Sequence, residues 1–282
     1  MAVSTGEAWA EGFVPGACPE LIERDDELQF LNGTAAAAAT GRARLVLLSG
    51  EAGAGKTRLT AEFAAGLSGW QVLSASAILV ETPEVPAGTD PARALAEQMT
   101  ERIRAHAEAS PVLLVAEDVH SFDPVSIAAL GHAFAPLADS QVLLVATFRL
   151  GTHSPGDAHA RAVVDLLRHP GAAELRLAPL SRSGVDAMAR AMRGPAAGGD
   201  ESFLAALHER TGGNPFFTEE LLRSGSREVP WTVAETVAGR LAQVGGAARR
   251  VVAALAAAES PLPARVLATA AGCTTAELEP VV

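Results

Sequence analysis

Gly50-Glu51-Ala52-Gly53-Ala54-Gly55-Lys56-Thr57 has the spacing G-x-x-x-x-G-K-S/T, a pattern suited to holding phosphate. Glycines let successive backbone N–H groups turn toward an anion with no Cβ in the way. A helix opening at Lys56 would point the positive end of its dipole at the same anion. Lys56 would set a point charge on the β- and γ-phosphates, Thr57 would offer a hydroxyl to Mg²⁺, and Gly50, Ala52, Gly53, Ala54, Gly55 and Arg58 complete the expected cradle. A plain glycine turn between strand and helix is the competing reading. It explains the glycines but not the Lys-Thr pair.

Two further sites fit the same chemistry. Val112 to Ala116 is an apolar run ending in Glu117-Asp118, and ligand-binding groups of α/β sheets lie at the carboxyl ends of strands. One carboxylate would hold Mg²⁺ and the next would orient or deprotonate a water. A strand ending in two solvated acids is the alternative. Val142 to Ala146 is followed by Thr147-Phe148-Arg149. Thr147 could hydrogen-bond the attacking water or the γ-phosphate and Arg149 could neutralise phosphate charge, or Arg149 is simply a surface residue after a core strand.

These residues need strands to carry them. Leu45 to Leu48, Trp70 to Leu73, Val112 to Ala116, Val142 to Ala146 and Ala173 to Leu177 read as strands, the apolar runs among them as strands buried on both faces. Leu21 to Ala39, Lys56 to about Leu67, Pro91 to Ala109 and Ile127 to Leu137 read as helices. Strands alternating with helices predict an α/β fold with a parallel sheet covered on both sides. A Pro/Gly-rich loop spans Thr82 to Asp90. After Pro179 only helices are expected: Ser183 to Met192, Glu201 to Arg210 and Pro215 to Arg223, with a glycine-rich break at Gly194 to Gly199. A further helical group starts at Thr232, and Thr274 to Glu277 looks like one more helix start.

Composition narrows the function classes. The net charge is -11 with no Tyr and 4% aromatic residues, which argues against this segment itself gripping nucleic acid or an anionic membrane. Two cysteines, Cys18 and Cys273, make no C-x-x-C pair, and the seven histidines lack metal-ligand spacing. The N-terminus lacks a signal-peptide layout and no apolar run approaches the ~18 residues of a span, so a cytoplasmic location is expected.

Several strings occur in one order: Gly50 to Leu59, Glu117-Asp118-Val119-His120 with Asp123, Thr147-Phe148-Arg149, and Thr211-Gly212-Gly213-Asn214-Pro215-Phe216-Phe217 followed by Glu219 to Leu222. Together they resemble the ATPase module of STAND-class signalling NTPases, in particular large LuxR-type transcriptional regulators of actinobacteria. Leu21 to Leu28 is similar to that family's opening segment, and Val229 to Val233 to its passage into a winged helix. The resemblance implies a P-loop NTPase core with a five-stranded parallel sheet (21–178, after a leader of 1–20), a helical lid (179–228) and an incomplete winged-helix domain (229–282). It implies ATP or ADP with Mg²⁺, weak ATPase activity, and self-association through the ATPase module. Asp118 would be the catalytic acid and Glu117 the metal-side acid. The Gly213-x-Pro215 turn would lie against adenine, with Arg24 framing the same pocket.

Three departures qualify it. Glu117 stands where many relatives carry Asp, which implies a metal contact through water. Ser121-Phe122 replace the more usual Trp-Ala, and the stretch from Thr57 to Pro111 is short for the family. The family's repeat region and its DNA-reading helix-turn-helix are not within these 282 residues, so an N-terminal fragment or short variant is expected. A slowly hydrolysing signalling switch is therefore the leading expectation. A non-catalytic nucleotide- or partner-binding fragment, a small-molecule P-loop kinase and an ATPase module attached to a cyclase are the alternatives.

Overall fold

A computed structural model describes residues 18–76, 90–150, 157–195 and 201–224, together with 234, 237–239, 241–242, 246–258 and 262–274. The leader up to residue 17, most of the loop from 82 to 90, the break from 196 to 199, the passage from 229 to 233 and the helix start after Thr274 lie outside the described residues. The chain divides into two compact units, Met1–Arg223 and Ser224–Val282.

The first unit is built on a five-stranded sheet: β1 (Arg44–Gly50), β2 (Gln71–Ser74), β3 (Val112–Ala116), β4 (Val142–Arg149) and β5 (Ala172–Arg176), in the order β2-β3-β4-β1-β5 with every neighbour parallel. Alternation along the strands divides the side chains into two cores. Val46, Leu48, Leu113, Val115, Leu143 and Val145 face one side. There they meet Leu31, Ala35 and Ala38 of α1 (Asp25–Ala39) and Leu59 and Phe63 of α2 (Lys56–Gly66). Leu45, Leu47, Val112, Leu114, Leu144 and Ala146 face the other. They pack on Met99 and Ile103 of α3 (Pro91–Ala107), Ile127, Leu130 and Phe134 of α4 (Pro124–Phe134), and Val163 and Leu166 of α5 (Ala158–Leu167). Each fully buried large aliphatic side chain contributes about 1.5–3 kcal/mol.

Local chemistry sets the helix starts. Asp90 and Asp123 each precede a proline at the first helical position, and each accepts from backbone N–H groups, Ala92 for Asp90 and Val125 and Ser126 for Asp123. An acceptor at the cap followed by a residue that needs no N–H partner is a strong start signal. Asp157 caps α5 in the same way through Ala160 N–H.

The strands fall within one or two residues of their expected limits at the amino ends, and β4 runs on through Thr147 to Arg149. Two helical expectations change. The expected helix from Leu21 begins only at Asp25, because Glu23 takes a left-handed φ of 50° and the side chains of Glu23 and Arg24 reach across to residues 178–181. Helix α5 was not expected: its sequence AHARAVVDLL buries only Val163 and Leu166, too few apolar positions to stand out.

After β5 come α6 (Arg182–Arg193), α7 (Glu201–Thr211) and α8 (Pro215–Ser224), where Leu180, Val185, Met188, Leu204, Leu207 and Leu222 form a small core. The described residues of the second unit include α9 (Gly246–Ala258) and α10 (Ala264–Ala271), joined through Val251, Leu267, Ala268 and Ala271. No helix among the described residues is long and apolar enough to cross a membrane.

Candidate phosphate and metal site

Sheet register brings the three strand tips together. Leu48 of β1 pairs with Thr147 of β4, and Ala116 of β3 pairs with Ala146. Glu117 therefore leaves β3 beside Thr147, while the loop from Gly50 to Thr57 rises from β1 on the other side.

Three side chains and one amide form a connected set there. Thr57 Oγ1 and Thr147 Oγ1 both donate to Glu117 Oε2, at 2.9 and 3.0 Å, and Asp118 N–H donates to Thr147 Oγ1 at 2.7 Å. Burial raises the Glu117 carboxyl above the usual glutamate range, with the hydroxyls of Thr57 and Thr147 opposing that shift and the charge of Asp118 adding to it. Its second oxygen, Oε1, is buried and has no hydrogen-bond partner among the described residues. A buried, unpaired carboxylate oxygen beside a threonine hydroxyl is a donor set suited to a hard cation, so the residues present fit Mg²⁺. Among the described residues no cluster of three or more His, Cys, Asp and Glu offers another metal site.

Asp118 is different. It is exposed, sits in the left-handed region at φ 52°, and has Oδ1 3.6 Å from His120 Nδ1. With Glu23 it is one of two non-glycine residues of positive φ among those described. Such backbone positions tend to be held where function demands them.

The loop itself is restrained through its carbonyls. Lys56 Nζ donates to Gly50 O and Glu51 O at 3.0 and 2.9 Å. Asn214 Nδ2 donates to Ala52 O at 2.9 Å and Phe216 N–H to Gly53 O at 3.2 Å. Arg24 Nη2 reaches Ala54 O at 3.5 Å and Ala178 O at 2.7 Å. In a trans peptide the N–H opposes the preceding carbonyl, so carbonyls engaged from behind turn the amides of Gly53 and Gly55 the other way. Gly53 is at φ 83°, and a Cβ there would lie 2.7 Å from Asn214 Oδ1 and 2.8 Å from Phe216 Cβ. Only glycine fits.

A cleft of about 600 Å³ opens over this loop. Of the expected site residues, Arg24, Ala52, Gly53, Ala54, Gly55, Lys56, Thr57, Arg58, Asp118, Arg149 and Pro215 line it. Glu117 and Thr147 lie beneath Thr57, and Gly50 forms the strand end. Two expected residues are placed differently. Gly213 is buried behind the wall with φ 73°, where a Cβ would run into Leu180 O, and its own carbonyl accepts from Leu180 N–H at 2.8 Å. Arg24 lines the cleft, but its guanidinium is committed to backbone carbonyls and to Glu27 at 3.7 Å. Burial lowers its pKa from the usual arginine value.

Sequence reading assigned no role to Leu21, Ile22, Leu180, Met188 and Phe216, which form the apolar wall of the cleft. Nor did it assign one to Asn214. Its signal was available, since Asn directly before Pro215 is the layout of a helix cap.

Residues 20–83, the stretch carrying the phosphate loop, match the family model described as the AAA ATPase domain. That stretch is similar to an AAA-type P-loop module. Among solved structures, the chain is similar to the STAND (signal transduction ATPase with numerous domains) protein with a tetratricopeptide repeat sensor from Pyrococcus horikoshii, at 17% identity and a TM-score of 0.46 over 91% of this chain and 38% of that one. It is also similar to PCH-2 of C. elegans, at 19% identity and a TM-score of 0.39 over 60% of this chain and 47% of that one. The chain thus spans less than half the length of either. No curated protein matches it.

Proposed function

We propose that the first unit binds ATP and ADP with Mg²⁺ and works as a slowly hydrolysing switch in signalling, of the kind found in LuxR-type transcriptional regulators. The observation that carries the reading is the set Thr57–Glu117–Thr147 with its unpaired Glu117 Oε1, directly under a loop whose carbonyls are all engaged. In this reading Lys56 leaves the Gly50 and Glu51 carbonyls for the β- and γ-phosphates. Mg²⁺ held by Thr57 and Glu117 supplies charge neutralisation when bound. Asp118, exposed at the cleft with His120 behind it, orients the attacking water, and Arg149 meets charge on the terminal phosphate. Pro215, Phe216 and the apolar wall take the base. A switch needs only slow turnover, because its output is a population shift.

The regulatory assignment and self-association through the module rest on the order of motifs from Gly50 to Leu222, the winged-helix character of residues 229–282 on the likeness of Val229 to Val233, and the cytoplasmic location on the N-terminal layout and the short apolar runs. Any effect on transcription would be exerted through DNA-reading parts that the acidic residues described above do not supply.

Calorimetric titration with ATP and ADP, with and without Mg²⁺, tests the core of the proposal. Saturable binding is expected, weakened about ten- to a hundredfold by Lys56→Ala through loss of charge-assisted bonds to phosphate. Asp118→Asn should bind within about twofold of the unaltered protein and lose turnover by roughly a hundredfold or more. No binding by a folded sample would overturn the reading. Normal hydrolysis by Asp118→Asn would remove Asp118 from its role.

A further inference from the structure

Asn214 joins two structures that are 162 residues apart in sequence. It is buried. Its amide donates to Ala52 O at 2.9 Å, and its Oδ1 accepts from Phe216 N–H at 3.1 Å and Phe217 N–H at 3.5 Å, the first turn of α8. Its backbone carbonyl accepts from Thr218 N–H and from Thr218 Oγ1, both at 2.9 Å. Phe216 N–H is shared between Asn214 Oδ1 and Gly53 O. One side chain therefore caps the start of α8 with its oxygen and grips the phosphate loop with its nitrogen.

We propose that Asn214 is a positioning residue: through Ala52 O, and through Phe216 N–H on Gly53 O, α8 holds the phosphate loop in its phosphate-accepting form. Loop and α8 then form one mechanical unit. A ligand that stabilises the loop also stabilises the α8 start, and anything that displaces α8 weakens phosphate binding by the same factor, since such coupling is reciprocal. The absence of room for a Cβ at Gly53, against Asn214 Oδ1 and Phe216 Cβ, marks how closely the two are packed. The proposal rests on the nucleotide-binding reading only where affinity is concerned.

Capping alone and capping plus gripping can be separated. Asp and Ser cap helices about as well as Asn, but neither can donate to Ala52 O: Asp has no N–H, and the Ser hydroxyl is too short to do both. Hydrogen exchange of the nucleotide-free protein is read for residues 52–57 and for 215–224 in the unaltered chain, Asn214→Ser and Asn214→Asp. Exchange of the loop should speed up roughly tenfold in both variants, the size of one buried hydrogen bond lost, while α8 keeps its protection. Unchanged loop exchange in either folded variant overturns the proposal. The unaltered protein gives a second reading that needs no variant. Added Mg²⁺–ADP should slow exchange at 214–218 together with 51–57, and protection confined to the loop would also overturn it. If no nucleotide binds, the functional reading fails, and the nucleotide-free comparison still decides the role of Asn214.

Discussion

The tips of β1 and β3 flank that of β4 and are finished in opposite ways. At the β1 tip every carbonyl from Gly50 to Ala54 has a partner, drawn from Lys56, Ala54, Asn214, Phe216 and Arg24. At the β3 tip one Glu117 oxygen is buried without a partner, and Asp118 stands exposed in a left-handed conformation. The loop is fixed in shape before any ligand arrives, so little ordering entropy remains to be lost on binding. The carboxylates are arranged at a cost in stability that a cation would offset. Shape is built into one tip and unmet electrostatic demand into the other.

Breaking the β1 tip should have the largest effect. Gly53→Ala places a Cβ at positive φ against Asn214 and Phe216, and a loss of about 2–4 kcal/mol is expected from strain plus overpacking, read as a lower midpoint in urea. A variant as stable as the parent would mean the packing around Gly53 yields easily.

The β3 tip should respond with the opposite sign. Burial raises the Glu117 pKa in the folded chain, so between the unfolded and folded values the folded state binds more protons. On this group's account, stability is greatest below the unfolded value and falls as pH rises through the folded one. Glu117→Gln should flatten that fall in thermal melts recorded from about pH 4 to pH 7.5, while weakening the stabilisation given by Mg²⁺–nucleotide. Glu23 and Asp123 work the other way. Burial raises Glu23, but the Ser181 hydroxyl and amide outweigh it, and at Asp123 the Ser126 hydroxyl leads, so both pKa values end lowered. Their contributions are lost as pH falls through those lowered values. If the parent shows no fall attributable to Glu117, the electrostatic half of the comparison fails.

The smallest effect is expected at Asp123, which caps α4 just beyond the β3 tip. Asp123→Ala should cost about 1 kcal/mol and leave nucleotide affinity unchanged. A marked affinity loss would show that the turn from Asp118 to Asp123 is itself poised by the cap.

The parts that were legible in sequence are those where chemistry is local. Lys56 and Thr57 follow a fixed spacing from Gly50, and β3 and β4 are unbroken apolar runs because both faces are covered. Helix α5 escaped notice because it covers the sheet with only Val163 and Leu166 fully buried. Arg24, expected to frame the pocket, lines the cleft, yet no pattern in its neighbourhood reveals that its guanidinium is spent on Ala178 O, 154 residues away. Gly213 and Pro215 were read as a pair, although φ and packing assign them to opposite sides of the wall. The residue between them makes the contact to the loop.

That contact also has a consequence for synthesis. The phosphate loop is made early, but two of the groups that complete it, Asn214 and Phe216, follow about 160 residues later. At roughly 5–20 residues per second the nascent chain carries an unfinished loop for about 8–30 s. During that interval the sheet can already pair, so the sheet domain should emerge from the ribosome before its nucleotide site becomes competent.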